Sequence, residues 1–285
     1  MRTLVRSAFK AAGLQITRLP KSDISLYEKL YSPETLAAKR FYNIGAGTFR
    51  HPFWTNLDFV SPWYAKAQGH VVHYDLMKCE PLPIEPGAEL LYTSHTIEHV
   101  SEQAVANLFR EAHRVLRAGG IFRVTTGPDA DLDYPALMRG DEDHFYWDRS
   151  YVRPGTYEHI YHAPATSVPL AERWLHHVAS QLAPNDKSDS PKKFHADEIM
   201  AILNDRSMED ALDYFTGLCS FNPKRPGNHI SWWNKAKVAR FLQEAGFSTV
   251  YNSGYGQSRA PVMRNTRHFD NTHPSMSLYV EAVKT

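Results

Sequence analysis

The residues best equipped for chemistry lie in SHTIEHV, positions 94–100, which holds His95, Glu98 and His99. Histidine titrates near neutral pH, so it is the natural group to take a proton from a hydroxyl. A histidine beside a carboxylate could also ligate a metal. Two histidines four apart, with no helix beneath them and no third ligand, make poor zinc evidence, so no metal is expected. Glu98 and His99 read as loop caps, which leaves His95 as the catalytic candidate. A second acidic stretch, DADLDY (129–134), starts like a calcium loop. Tyr134 stands where that loop needs glycine and Gly140 where it needs the bidentate glutamate, so its aspartates read as helix caps.

A different chemistry is written in FYNIGAGTFRHPFWTNLDF, 41–59. Gly45, Ala46 and Gly47 follow an apolar run, and glycines there let a backbone approach a ligand. A diphosphate site would want a third glycine at position 50 and a helix N-terminus. The chain has Arg50, and too few residues before Thr55 for a crossover helix. A cofactor without phosphates fits better. Asp58, closing the next run, can accept from two ribose hydroxyls, and Asp75, closing VVHYDL, from a purine amine. Either aspartate alone reads as a strand-end cap. Together, beside the glycine loop, they read as a nucleoside site.

Acceptor chemistry is suggested further along. His144, Tyr146, Trp147, Tyr157, His159 and His162 fall in one aromatic-rich stretch. Ring faces with polar tips suit a sugar-like or aromatic molecule, though a satellite hydrophobic cluster would read the same way for about half of them. His144, His159 and His162 are alternative bases. In QSRAPVMRNTRHFD, Arg259, Arg264, Arg267 and His268 could form a lip for an anionic group, the plain alternative being a solvated loop.

The elements that position these residues alternate. Short apolar runs at 41–44, 55–60, 71–76, 89–94 and 120–126 suit strands of a buried parallel sheet. SEQAVANLFREAHRVLRAGG reads as a helix with Ser101 as N-cap and Gly119-Gly120 as its stop. The alternation predicts an α/β, doubly wound sheet, with a strong last strand at 276–284. Residues 1–38 form a helical lead-in, 39–129 and 228–285 the cofactor-binding core, and 130–227 a mainly helical insertion over the active site.

Bulk properties narrow the partners. The 285-residue chain has a formal net charge of +1, which offers no field for nucleic acid. Its two cysteines form no disulfide framework, favouring a cytoplasmic setting. No apolar run is long enough to span a membrane. The basic, amphipathic N-terminus reads as a packed helix, with peripheral membrane contact as the alternative.

The series NIGAG, NLDF, YDL, LLYTSHTIEHV and EAHRVLRAGGIFRVTTGPD resembles the class I S-adenosylmethionine-dependent methyltransferases, of the type 11-like, small-molecule or sugar methyltransferase kind. The resemblance covers 40–130 and resumes at NHISWWNKAKVARFLQEAGFSTV and SLYVEAVK, which look like that family's last helix and closing antiparallel hairpin, and so implies a Rossmann-like sheet of seven strands. It implies S-adenosyl-L-methionine as cofactor, with Asn43, Gly45, Ala46 and Gly47 facing its methionine part. Asn43 stands where the family has an acidic residue, and Glu89 where it has an aspartate. Asp58 would hold the ribose, Asp75 and Leu76 would flank the adenine, and Thr93, Ser94 and His95 would line the cofactor near the reaction centre. The implied activity is methyl transfer to a small acceptor, foremost the hydroxyl of a sugar or secondary metabolite. An NAD-dependent oxidoreductase, or a catalytically degenerate scaffold on this fold, are the rival readings.

Overall fold

The computed structural model describes residues 7, 9–13, 23–62, 71–147, 161–164, 167–186 and 188–285. Two short helices lead in, α1 (Ile24–Leu30) and α2 (Pro33–Ala37), the latter capped by Ser32, whose hydroxyl accepts from Thr35 N. The sheet follows: β1 (Phe41–Ile44), β2 (Trp54–Asp58), β3 (Val72–His73), β4 (Ala88–Ser94) and β5 (Leu116–Thr126), with α3 (Glu102–Val115) before β5. The insertion carries α4 (Ala130–Met138), α5 (Leu170–Val178), α6 (Ala196–Asp205) and α7 (Met208–Gly217). The chain re-enters the core through α8 (Lys235–Glu244), β6 (Thr249–Asn252) and β7 (Leu278–Val283).

The seven strands lie in the order β3-β2-β1-β4-β5-β7-β6. β1 to β5 pair in parallel, and β7 is antiparallel to both β5 and β6. This is the doubly wound sheet the alternation predicts, with its antiparallel close. Strand order reverses between β1 and β4, the point where such sheets open a crevice at their carboxyl ends.

Both faces of the sheet are covered, so β4 and β7 are buried along almost their whole length. On one face α3 packs Ala104, Val105, Leu108, Phe109, Ala112 and Val115 beside Val238, Phe241 and Leu242 of α8. Tyr27, Phe41, Trp54, Tyr92, Met263 and Phe269 fill the other face. The insertion has its own hydrophobic cluster around Trp147, Trp174 and Phe215, to which Trp232 and Met276 contribute. Between the sheet and the β6–β7 connection lies a buried charge network. Arg123, fully buried, spends its donors on Asp270 (2.9 and 2.5 Å), Glu281 (2.8 Å), Ser253 (3.0 Å) and Gly254 O (2.9 Å). Burial alone would depress that guanidinium, but the two carboxylates raise it above its ordinary value.

Two boundaries depart from expectation. Gly119-Gly120 do not stop α3, which ends at Val115, and they lie inside β5. The register of β4 on β5 jumps there, from Ala88↔Leu116 to Leu90↔Ile121. Gly119 takes φ +77°, and a Cβ on Gly120 would sit 2.9 Å from Arg117 O, so the pair makes a bulge. The third strand shrinks to two residues because the Asp75 carboxylate accepts from Met77 N at 3.0 Å and starts a 3-10 turn, Leu76–Lys78.

Candidate functional site

A cavity of about 660 Å³ opens at the carboxyl ends of β1, β2 and β4. Its floor is the glycine loop. Gly45 (φ +70°) and Gly47 (φ +52°) both take left-handed backbone. A Cβ on Gly45 would fall 2.1 Å from Thr96 Oγ1, whereas nothing lies within 4 Å of one on Gly47. Gly47 N donates to Asp58 Oδ2 at 2.8 Å and Phe59 N to Oδ1 at 2.7 Å. The aspartate that closes β2 thus ties the loop after β1 to its own strand end, and no helix intervenes.

Asn43, Gly45, Ala46, Gly47, Asp58, Asp75, Leu76, Ser94 and His95 all line this cavity. Thr93 does not: it is fully buried between β1 and β5, in register with Ile44 and Val124. The period-two alternation of β4 sends it away from the face its neighbour Ser94 presents.

His95 takes left-handed backbone at φ +48°. Its Nδ1 lies 3.0 Å from Glu98 Oε1 and its Nε2 2.7 Å from Ser277 Oγ. Glu98 is buried, which by itself would raise its carboxyl, yet His95, His99 and His229 outweigh that and hold it near about 2. Facing His95 is His273, which burial and the neighbouring histidines push down to about 4.

The other proposed bases are elsewhere. His144 pairs with Asp133 at 2.7 Å inside the insertion, and His162, largely exposed, pairs with Asp186 at 2.6 Å. His159 and Tyr157 lie outside the described residues. Trp147 is packed into the insertion's cluster, and Tyr146 points to solvent at 59% exposure. Arg259 is exposed, and Arg264 turns back to donate to Ser258 O at 2.6 Å, so neither lines the cavity. Among the described residues of that stretch, Trp147 belongs to a packed core and does not line the cavity.

Instead the upper walls come from segments without periodic signal. Phe221 and Pro226 reach in from the end of the insertion, and Arg267, His268, Asn271 and Thr272 from the connection between β6 and β7. Of these, only the arginine-histidine pair carried any signal in sequence, as part of the basic run 259–268. Phe49, Arg50, Phe59 and His99 complete the lining.

Part of the chain matches a known family. Residues 53–124, from the end of the first loop through most of β5, match the family model described as "Methyltransferase domain". No curated protein matches the chain. Among solved structures, an S-adenosylmethionine-dependent methyltransferase from Mesorhizobium loti is 17% identical, covering 88% of this chain and 96% of that one, with a TM-score of 0.38. One from Archaeoglobus fulgidus is 12% identical over 99% of both chains, TM-score 0.39. The S-adenosylmethionine-dependent methyltransferase SibL is 13% identical, TM-score 0.37, and this chain, 92% covered, spans 55% of SibL's length. The family match, rather than these distant likenesses, points to the class: residues 53–124 match a methyltransferase domain, within a sheet of doubly wound order.

The cofactor of that class is S-adenosylmethionine, and the cavity fits it. Asn43 Oδ1 is buried beside the glycine loop without a hydrogen-bond partner, an acceptor that an amino-acid ammonium would satisfy. Open space at Gly47 and the carboxylates of Asp58, at the end of β2, and Asp75, two residues past β3, border the same cavity.

Proposed function

We propose that the chain methylates a small-molecule acceptor from S-adenosylmethionine, foremost at a hydroxyl such as that of a sugar or secondary metabolite. The observation that carries this reading is the Gly47–Asp58 tie, which builds a ribose-binding edge where a diphosphate site would need a helix. The same tie weighs against a nicotinamide-dependent oxidoreductase.

When bound, the cofactor supplies an electrophilic methyl group on a sulfonium. The chain's work is positioning: reacting atoms held in line and close contribute more than any single group. Asn43 accepts from the ammonium, Asp58 from the ribose hydroxyls, and Asp75 with Leu76 flanks the adenine. Phe49, Phe59 and Phe221 offer apolar faces to the cavity, and Arg267 and His268 bring polar tips to its mouth. A hydroxyl acceptor must lose its proton as the new O–C bond forms and the S–C bond breaks. His95 is the described candidate base at the cavity wall. To take that proton at Nε2 the acceptor must replace Ser277 as its partner, while Glu98 at Nδ1 stabilises the imidazolium.

Asp58→Ala should weaken calorimetric binding of S-adenosylhomocysteine by roughly 10–100-fold, the worth of hydrogen bonds to a charged group. Unchanged affinity in a folded variant would remove the ribose assignment and the reading built on it.

A further inference from the structure

Behind His95 a second group of side chains converges. One ligand atom each from Glu98, His99 and His229 lie within 4.8 Å of one another. His99 Nε2 stands 4.0 Å from Glu98 Oε1, and the two imidazole rings meet at 71° with centroids 4.8 Å apart.

The other ring nitrogens reveal the tautomers. His99 Nδ1 faces Asn228 O at 3.2 Å, and His229 Nδ1 faces His177 O. A carbonyl can only accept, so both Nδ1 atoms carry the hydrogen and both neutral rings keep their lone pair on Nε2. Backbone carbonyls fixing the remote nitrogen are the usual outer partners of metal-bound histidines. The carboxylate is fixed in the same way: Thr126 Oγ1 donates to Glu98 Oε2 at 2.7 Å, and His95 Nδ1 stands at Oε1. The backbone locks the pieces together, Ile230 N donating to Glu98 O at 2.9 Å and His229 N to Ser180 Oγ at 2.8 Å. A carboxylate and two imidazoles are thus gathered within reach of one ion, each imidazole with its remote nitrogen at a backbone carbonyl.

We propose that Glu98, His99 and His229 form a binding site for a divalent zinc-type cation. Two imidazoles and one carboxylate are a donor set of catalytic zinc sites, which leave a fourth position open. Since His99 lines the large cavity, that position is reached from the cavity and takes an oxygen or sulfur ligand. Bonds of about 2.0–2.2 Å require the three ligand atoms to close up by roughly 1 Å. This revises the sequence expectation of no metal, and it does not depend on the proposed methyl transfer.

The test uses the full, tag-free chain, stripped with a chelator and titrated with Zn²⁺ alone. Calorimetry and elemental analysis should give one equivalent per chain. His99→Ala and His229→Ala should each weaken binding beyond the ~10–100-fold that outer partners are worth, while S-adenosylhomocysteine binding by His229→Ala reports an intact core. Co²⁺ loaded into the unaltered chain should show the visible ligand-field bands of a four-coordinate ion, which settles the matter should a variant misfold. Absence of saturable Zn²⁺ binding, equal binding by both variants, or a six-coordinate Co²⁺ spectrum would overturn the site, and the methyltransferase reading would stand.

Discussion

Asp133 shows how much a single buried carboxyl can matter. It is 2% exposed, and burial raises it to about 6 even though His144 at 2.7 Å pulls the other way. A carboxyl raised on folding favours the native state fully below its unfolded pKa, and that contribution is lost as pH rises through its folded value. Its ordinary value is 3.8, so the window runs from there to about 6. Asp133→Asn should therefore gain on the wild type as pH rises from about 4 to about 7, measured as the difference in urea unfolding free energy. A difference that stays flat, or swings the other way, would contradict the assignment. The same scale marks the limit of sequence reading at the candidate site. Asp58 and Asp75 could be placed at the cavity's edge because each closes an apolar run in the sequence, but nothing in the local sequence shows that His229 lands beside His99.

At the scale of elements, the two loop glycines make a contrast. Gly47 needs only its positive φ, whereas Gly45 needs both that and the space occupied by Thr96. Left-handed backbone costs about 1–2 kcal/mol for a residue with a Cβ. Gly47→Ala should thus lose about that much stability in chemical denaturation, and Gly45→Ala clearly more, because the Thr96 side chain must move. Equal losses would mean that the β1 loop relaxes freely around both. The core strands were readable since burial on two faces forces unbroken apolar runs, and Ser101 caps α3 at the residue expected, its hydroxyl accepting from Ala104 N at 3.3 Å. The Gly119-Gly120 pair misled, because a glycine that ends a helix and one that makes a bulge look alike in sequence. The cavity's upper wall at 265–272 was illegible beyond its basic residues, since irregular chain has no period to read.

The whole molecule is held together partly through Arg123, which links β5, β7 and the stretch that carries Arg267 to Thr272 over the cavity. Removing one member of such a network leaves buried charge uncompensated, at a cost of about 3–5 kcal/mol. Arg123→Met should lose that much in urea unfolding and should also weaken S-adenosylhomocysteine binding, as the 265–272 wall loses its anchor at Asp270. A loss of under about 1 kcal/mol would show that water reaches the two carboxylates. The sheet's borders carry a last implication. β3 has two residues and β6 four, so the outermost strands offer very little unpaired backbone. A neighbouring chain adding a strand at either border would find too short a ladder to grip. Among the described residues, the two sheet borders therefore offer little template for edge-to-edge polymerisation.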